Sequence, residues 1–139
     1  MGNFNVQIYH YKMTTEHKDW KKELTEDEYR VMREKGTEAP FSGEFNSHFE
    51  NGIFYCKGCN QKLFSSDSKF DASCGWPSFD QGIENGKIKE IVDKSYDMIR
   101  TEIVCSACNS HLGHVFNDGP TKTKLRYCVN SISLTFKES

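Results

Sequence analysis

The sequence predicts a mainly β domain with a small helical segment at its N-terminal end. From about Gly52 onward, short runs rich in Ile, Val, Phe and Tyr alternate with Gly, Asn, Asp, Ser and Pro. Such runs, separated by turn-forming residues, are typical of antiparallel strands. The chain has 139 residues, which is enough for one hydrophobic core and too few for two.

One helix is predicted near residues 26–35. Thr25 and Glu28 match a capping box, and Leu24 and Tyr29 stand where a hydrophobic staple would flank it. Gly36 is placed to end the helix. A second helical stretch, polar nearly all round, is predicted around residues 15–23.

The first residues contain no recognisable targeting or membrane-spanning segment. A basic region followed by an apolar run is missing, as is any stretch of about 18 apolar residues. Because Met13 begins a more ordinary-looking start, we interpret residues 1–14 as an N-terminal extension and residues 15–139 as a single domain. We expect a cytoplasmic protein with no membrane partner.

The charge balance argues against a polyanionic partner. The chain carries 18 Lys and Arg against 20 Asp and Glu, a formal net charge of −2. A nucleic-acid-binding domain usually shows a basic surplus. We therefore expect no nucleic-acid partner.

Six cysteines in a chain without an export signal indicate metal or redox chemistry rather than a disulfide framework. Four of them form two C-x-x-C-N-x-x-L repeats, which begin at Cys56 and at Cys105. Two C-x-x-C turns supply the four thiolates of a tetrahedral zinc site. The predicted ligands of one zinc ion are Cys56, Cys59, Cys105 and Cys108.

A zinc ion closed by four thiolates has no open position for water, so its predicted role is structural. It would join two hairpins that lie far apart in the sequence. The alternative is a thioredoxin-like redox dithiol, but neither pair opens a helix within a βαβ pattern. A zinc deaminase is disfavoured because its H-x-E and P-C-x-x-C motifs are missing.

The two remaining cysteines stand in distinctive surroundings. Residues 125–136 are predicted to form one strand, in which Arg126, Cys128 and Asn130 project to the same face. A neighbouring guanidinium favours a thiolate and lowers the pKa of a cysteine from roughly 8.5. This indicates a reactive Cys128, although a lone cysteine in a strand is equally well a small buried hydrophobe.

Cys74 precedes a turn-prone Gly-Trp-Pro segment, in which Trp76 offers a flat apolar wall. The simplest interpretation is a turn that Trp76 anchors to the core. Downstream of the second C-x-x-C, His111 and His114 lie close to an aromatic residue and a carboxylate. Since the thiolates already complete a zinc site, these histidines are either proton carriers or ordinary loop residues.

Three motifs together resemble the B-type methionine sulfoxide reductases. They are CGWPSF at residues 74–79, HLGHVF at residues 111–116 and RYCVN at residues 126–130. GTEAPF at residues 36–41 and NDGP at residues 117–120 extend the likeness to roughly residues 20–137. Ala72 and Ser73 replace the Ser-Gly expected there, which puts only loop geometry in doubt.

The resemblance implies two antiparallel sheets with N-terminal helices packed on them, and a zinc held by four cysteines. It places Cys128 on the catalytic cysteine of the family and Cys74 on its resolving cysteine. The residues that it places in the catalytic or substrate-binding pocket are Trp76, His111, His114, Phe116, Asp118, Arg126 and Asn130.

The implied reaction is the reduction of methionine R-sulfoxide, free or in proteins, to methionine. Cys128 attacks the sulfoxide sulfur while a proton from His111 or His114 reaches the oxygen. Cys128 becomes a sulfenic acid, which condenses with Cys74 to a disulfide. The resemblance implies that thioredoxin reduces this disulfide, and it alone supplies the R stereochemistry.

Two other classes of function remain open at this point. A non-catalytic zinc-binding interaction domain would leave Cys74 and Cys128 without a common role. A thiol peroxidase or general disulfide exchanger would also use a low-pKa cysteine and a second thiol.

Overall fold

The computed structural model describes residues 19–139, which form two antiparallel sheets and short N-terminal helices. The predicted extension, residues 1–14, and the first part of the helical stretch predicted at residues 15–23 lie outside the described residues. The helices are α1 (Trp20–Glu23) and α2 (Glu26–Glu34). The strands are β1 (Gly52–Cys56), β2 (Lys62–Ser65), β3 (Lys69–Phe70), β4 (Ser78–Phe79), β5 (Ile88–Asp93), β6 (Arg100–Cys105), β7 (His111–Phe116), β8 (Arg126–Val129) and β9 (Leu134–Glu138).

The smaller sheet has the strand order β2-β1-β9, and the larger has the order β3-β4-β8-β7-β6-β5. All strand pairs are antiparallel. The predicted mainly β fold with two antiparallel sheets is therefore confirmed. None of the helices in the described part of the chain is long and apolar enough to cross a membrane.

An aromatic cluster fills the core between the two sheets. Phe54 of β1 meets Phe79 of β4 with ring centroids 5.2 Å apart, and Phe64 of β2 stacks on Phe79 at 4.2 Å. All three side chains are fully buried. Burying a side chain of this size contributes about 1.5–3 kcal/mol relative to exposure, so the three rings hold the sheets face to face.

Helix α2 begins as the sequence predicts. The Thr25 hydroxyl accepts a hydrogen bond from the Glu28 N–H at 3.1 Å, and the Glu28 carboxylate accepts one from the Thr25 N–H at 3.0 Å. Val31 and Met32 are buried, and the helix packs on β7. The prediction of N-terminal helices packed on the sheets therefore holds for α2.

The predicted end of α2 at Gly36 is wrong by one residue. Lys35, not Gly36, takes the left-handed conformation, with φ of 58°. The Gly36 N–H donates to the Arg30 carbonyl at 2.8 Å, and a Cβ on Gly36 would lie 2.8 Å from that oxygen. Glycine is needed there for close approach rather than for its dihedral freedom.

The single strand predicted over residues 125–136 is also wrong. Strand β8 ends at Val129, a 3-10 turn follows over Ser131–Ser133, and β9 joins the other sheet. The cause is a buried carboxylate, because Glu38 accepts hydrogen bonds from the N–H groups of Ser131 and Ile132, both at 2.9 Å. The crossover therefore takes the chain from one sheet to the other just after Cys128.

Candidate functional site

The register of three neighbouring strands sets one row of side chains across the larger sheet. Ser78 of β4 pairs with Cys128 of β8, and Cys128 pairs with His114 of β7. Residues directly opposite each other in antiparallel strands project to the same face. A Cβ on Gly113 would collide with the Cys128 carbonyl, so the glycine allows β7 to lie close beside β8.

Cys74 reaches this row from the loop between β3 and β4. Its Sγ lies 3.6 Å from the Sγ of Cys128, and both thiols are free and partly buried. Cys74 Sγ also lies 3.4 Å from the hydroxyl of Ser78 and from the carbonyl of Trp76. A disulfide has an S–S length of about 2.0 Å, so the two sulfurs need to approach by only about 1.5 Å to bond.

Cys128 lies in the wall of a cavity of about 100 Å³. The cavity is lined by Thr37, Trp76, Arg100, Gly113, His114, Phe116, Cys128, Val129 and Asn130. The indole Nε1 of Trp76 donates to the Glu38 carbonyl at 3.0 Å, which fixes the plane of the ring. The structure thus brings together Cys128, Trp76, His114, Phe116 and Asn130 of the residues named from the sequence.

The other residues named from the sequence lie beside or behind this cavity. Cys74, Arg126 and Asp118 line a neighbouring cleft. The Arg126 guanidinium donates to both oxygens of Asp118, at 2.9 and 3.1 Å, and stacks over Phe116 at 4.4 Å. His111 lies behind the cavity wall, only 2% exposed.

The lowered pKa expected for Cys128 is not what the free protein has. Burial, with a further contribution from Cys74, raises its pKa to about 12, because Arg126 lowers it too weakly to compensate. Burial also raises the pKa of Cys74, but hydrogen bonds with Ser78, Trp76 and Cys128 outweigh it and leave that pKa below its ordinary value. The unliganded site therefore keeps the proton on Cys128.

Each of the two histidines has a buried carboxylate partner. His114 Nε2 lies 2.8 Å from Asp93 Oδ2, and His111 Nδ1 lies 2.7 Å from Glu102 Oε2. The hydrogen bond from His114 holds the pKa of Asp93 well below its usual range. Since an ionised carboxylate only accepts hydrogen bonds, His114 carries a proton on Nε2 and leaves Nδ1 for other contacts.

Burial lowers the pKa of His111, against the opposing effect of Glu102. His111 is therefore mainly neutral at neutral pH. Lys35 ties the two carboxylates together, with Nζ 3.2 Å from Glu102 and 3.9 Å from Asp93. The residue that ends α2 thereby balances charge behind the cavity.

Asn130 uses both ends of its buried amide to hold the backbone around it. Its Oδ1 accepts from the Glu38 N–H at 2.9 Å, and its Nδ2 donates to the Leu112 carbonyl at 3.0 Å. Asn130 and Trp76 are thus both fixed by the main chain of Glu38. The main chain at Glu38 therefore connects one wall of the cavity to the crossover that follows β8.

Away from the cavity, four cysteines form a compact cluster that can hold a metal ion. The Sγ atoms of Cys56, Cys59, Cys105 and Cys108 all lie within 4.8 Å of one another. Two of the separations are 3.6 and 3.5 Å. A tetrahedral zinc with bonds of about 2.3 Å would place its sulfurs about 3.8 Å apart, so the cluster fits such an ion.

The chemistry of the four thiols also favours a cation. The hydrogen bond with Cys105 raises the pKa of Cys56 and lowers the pKa of Cys108. Several thiolates so close together need a positive ion between them to be ionised at once. Because Cys56 ends β1 and Cys105 ends β6, an ion there would join the two sheets.

A family model described as the SelR domain matches residues 24–138. Proteins described as "Peptide methionine sulfoxide reductase MsrB" match most of the chain. One from Teredinibacter turnerae is 56% identical over 86% of this chain and 88% of its own length. One from Leptospira interrogans is 49% identical over 92% and 98%, and one from Methanosarcina barkeri is 54% identical over 86% and 84%.

The chain belongs to the SelR (MsrB) family. Among solved structures, the crystal structure of the Mis18 "Yippee-like" domain matches with a TM-score of 0.51 and 20% sequence identity. It covers 65% of this chain and 98% of that domain. At this identity the likeness shows the fold alone.

Sequence reasoning about this SelR domain misses the residues that support the site. Glu38, Asp93, Glu102 and Arg100 are four of them, and three are buried carboxylates. No spacing or composition rule marks a charged residue as buried, because its partners come from other elements. Of these four residues, only Glu38 could have been found from the sequence, because it lies in the GTEAPF segment that carries part of the family resemblance.

We predict that the purified chain carries one metal ion and that replacing Cys108→Ser removes it. The loss should lower the midpoint of thermal unfolding by 10 °C or more, on the order of the large share of folding free energy that such ions supply. Elemental analysis and calorimetry measure both effects. Cys74→Ser is the matched control and should retain the ion, whereas loss of the ion in both variants, or in neither, would contradict the assignment.

We predict that iodoacetamide labels Cys74 at least about tenfold faster than Cys128 at pH 7.5, because the thiolate is the reactive form. As the pH rises toward 10, labelling of Cys128 should accelerate by about tenfold per unit, since its thiol stays below its pKa of about 12. Labelling of Cys74 should level off. Peptide mass spectrometry gives both rates, and faster labelling of Cys128 at pH 7.5 would be the contrary result.

Proposed function

We propose that the chain reduces methionine R-sulfoxide, free or within polypeptides, to methionine, with Cys128 as the attacking thiol. The observation that carries this proposal is the pair of free thiols 3.6 Å apart, one of them in a cavity wall beside a tryptophan and a histidine. Membership of the SelR (MsrB) family supports the same chemistry. The R stereochemistry rests on the family resemblance.

In the first step, the sulfur of Cys128 attacks the electrophilic sulfur of the sulfoxide. The sulfoxide oxygen is a poor leaving group, so it must gain a proton as its bond to the substrate sulfur weakens. The sulfoxide is reduced by two electrons to the thioether, and Cys128 is oxidised to a sulfenic acid. The oxygen thus passes from the substrate to Cys128, and no net proton is consumed.

His114 is the proton carrier that fits this step best, because it lines the cavity and pairs with Cys128 across the strands. With Nε2 bonded to Asp93, its Nδ1 is left for contact with substrate. The raised pKa of Cys128 suits this route, since the proton leaving the thiol is the one that the oxygen needs. His111, buried against Glu102, supports His114 from behind.

In the second step, Cys74 attacks the sulfenic acid. A Cys74–Cys128 disulfide forms and water leaves. The lowered pKa of Cys74 favours its thiolate as the attacking group. An external dithiol must then reduce the disulfide by exchange, and we propose thioredoxin as that partner.

Trp76 supplies an apolar wall against the terminal methyl group of the substrate, as its place in the cavity lining allows. The guanidinium of Arg126, held by Asp118, favours negative charge on the sulfurs of Cys74 and Cys128. We propose that it acts mainly in the second step, in which Cys74 attacks.

The role that follows from this activity is the repair of oxidised methionine. We propose the cytoplasm as its compartment.

We propose zinc as the ion of the four-cysteine cluster. When bound, it would be held by Cys56, Cys59, Cys105 and Cys108, and it would supply a structural link and no catalytic step. The cluster and the cavity share β7, which begins three residues after Cys108 and presents His114. The ion would therefore fix the strand that carries the proton carrier.

We predict that Cys128→Ser abolishes methionine formation from a blocked methionine R-sulfoxide, because Cys128 is the one thiol among residues 19–139 that lines the cavity. Cys74→Ser should still form about one methionine per chain without reductant but should lose multiple turnover with thioredoxin. Chromatography of the product in single-turnover and steady-state assays separates these results. Retained single turnover in Cys128→Ser, or normal thioredoxin-dependent turnover in Cys74→Ser, would refute the assigned roles.

We predict that Asp93→Asn lowers kcat by about 100-fold, the contribution expected of a general acid, with a smaller change in KM. The amide no longer enforces the Nε2 proton of His114, so both ring tautomers become populated. Nitrogen-15 spectra of the His114 ring read the tautomer directly. The exposed Asp67→Asn is the matched control, and an unchanged tautomer with an unchanged kcat in Asp93→Asn would count against His114 as the proton carrier.

A further inference from the structure

The hairpin of β5 and β6 concentrates apolar side chains in solvent. Seven large apolar side chains of the described residues are exposed, and five of them lie between residues 91 and 99. They are Ile91, Val92, Tyr96, Met98 and Ile99. Tyr96 and Ile99 are 84% and 81% exposed. Concentrated apolar exposure on a small domain marks a site of interaction.

The base of this hairpin belongs to the cavity that contains Cys128. Asp93 ends β5, pairs with Arg100 at the start of β6, and bonds His114. Arg100 itself lines the cavity. The apolar tip, residues 94–99, therefore joins Asp93 directly to Arg100, which lines the proposed substrate pocket.

Arg100 also brings a buried hydrogen-bond donor to that wall. Its Nη2 lies 3.4 Å from Asp93 Oδ2, but its buried Nε has no partner among the described residues. A buried donor without an acceptor is unfavourable.

The tip is held in a shape that keeps its side chains outward. Tyr96 and Asp97 both take left-handed conformations, with φ of 57° and 56°. Such values are uncommon for a bulky residue and collect at functional sites. The Ser95 N–H donates to Asp93 at 3.0 Å, and the Met98 N–H donates to the Ser95 carbonyl at 3.1 Å.

The outer edge of β5 is open as well. Among the described strands, β5 is the last of its sheet and pairs with β6 alone. Edge strands offer unpaired backbone donors and acceptors to an extended segment. An extended chain can therefore run along the hairpin beside the cavity.

We propose that the β5–β6 hairpin is the docking surface for the polypeptide on either side of the methionine sulfoxide, with a preference for apolar flanking residues. This rests on the proposed function. A cavity of about 100 Å³ has room for one side chain at most, so the polypeptide that carries the side chain must cross the rim. Methionine is mostly a core residue, and its oxidation disrupts core packing, so the exposed damaged segments are apolar ones.

The test compares two substrates in the full chain with dithiothreitol as reductant. One is a blocked methionine R-sulfoxide, and the other is a nonapeptide with the same residue flanked by leucines. Replacing Tyr96→Ser and Ile99→Ser together should raise KM for the peptide about fivefold or more, as expected when two apolar anchors are lost. KM and kcat for the small substrate should stay within about twofold of wild type.

Phe49→Ser is the matched control, because Phe49 is 52% exposed outside the hairpin, and it should leave both substrates unaffected. An unchanged peptide KM in the double variant would overturn the proposal. So would equal losses on both substrates, or a defect that appears only when thioredoxin replaces dithiothreitol. Failure of the wild type to reduce the small substrate would instead refute the proposed function, and the docking proposal with it.

Discussion

The register between β4, β8 and β7 is the constraint on which the site depends. It sets Ser78, Cys128 and His114 in one row, and the missing side chain of Gly113 lets the last two strands lie close together. A shift by one residue would turn Cys128 to the opposite face of the sheet. The cavity, the contact with Cys74 and the histidine beside the thiol all follow from this pairing.

Two links between the sheets keep that register in place. The four-cysteine cluster lies where the end of β1 meets the end of β6, and an ion bound there would join them. On the other side, the buried carboxylate of Glu38 holds the turn that takes the chain from β8 into β9. The same segment fixes Trp76 and Asn130 through its main chain, so the walls of the cavity and the crossover form one hydrogen-bonded unit.

The features that the sequence predicts well are those encoded by local spacing. The two C-x-x-C turns predict the cysteine cluster, and Thr25 with Glu28 predicts the start of α2, since both depend on residues a few positions apart. The break after β8 was missed because it depends on Glu38, more than 90 positions away. The pKa of Cys128 was misjudged for a similar reason: Arg126 is visible in the strand, but burial, which outweighs it, is not.

The carboxylates behind the cavity show the same limit. Asp93, Glu102 and Lys35 come from three elements, and only the fold makes them partners of the two histidines. Of the three, Asp93 has a lowered pKa and bonds His114; perturbed groups of this kind collect where acid–base chemistry occurs, which supports the proposed proton transfer. The site therefore consists of the thiol pair and, on the far side of His114, the network of buried carboxylates and Lys35. His114 pairs with Cys128 and bonds Asp93.

The measurement that tests the thiol pair most directly is a single turnover of the reduced wild-type protein without any reductant. After excess blocked methionine R-sulfoxide is added, methionine and the peptide that joins Cys74 to Cys128 are quantified in one sample by mass spectrometry. We expect one methionine and one such disulfide per chain, and no consumption of the S epimer. Methionine formed while both thiols stay free, or no methionine from the metal-loaded folded protein, would contradict the account.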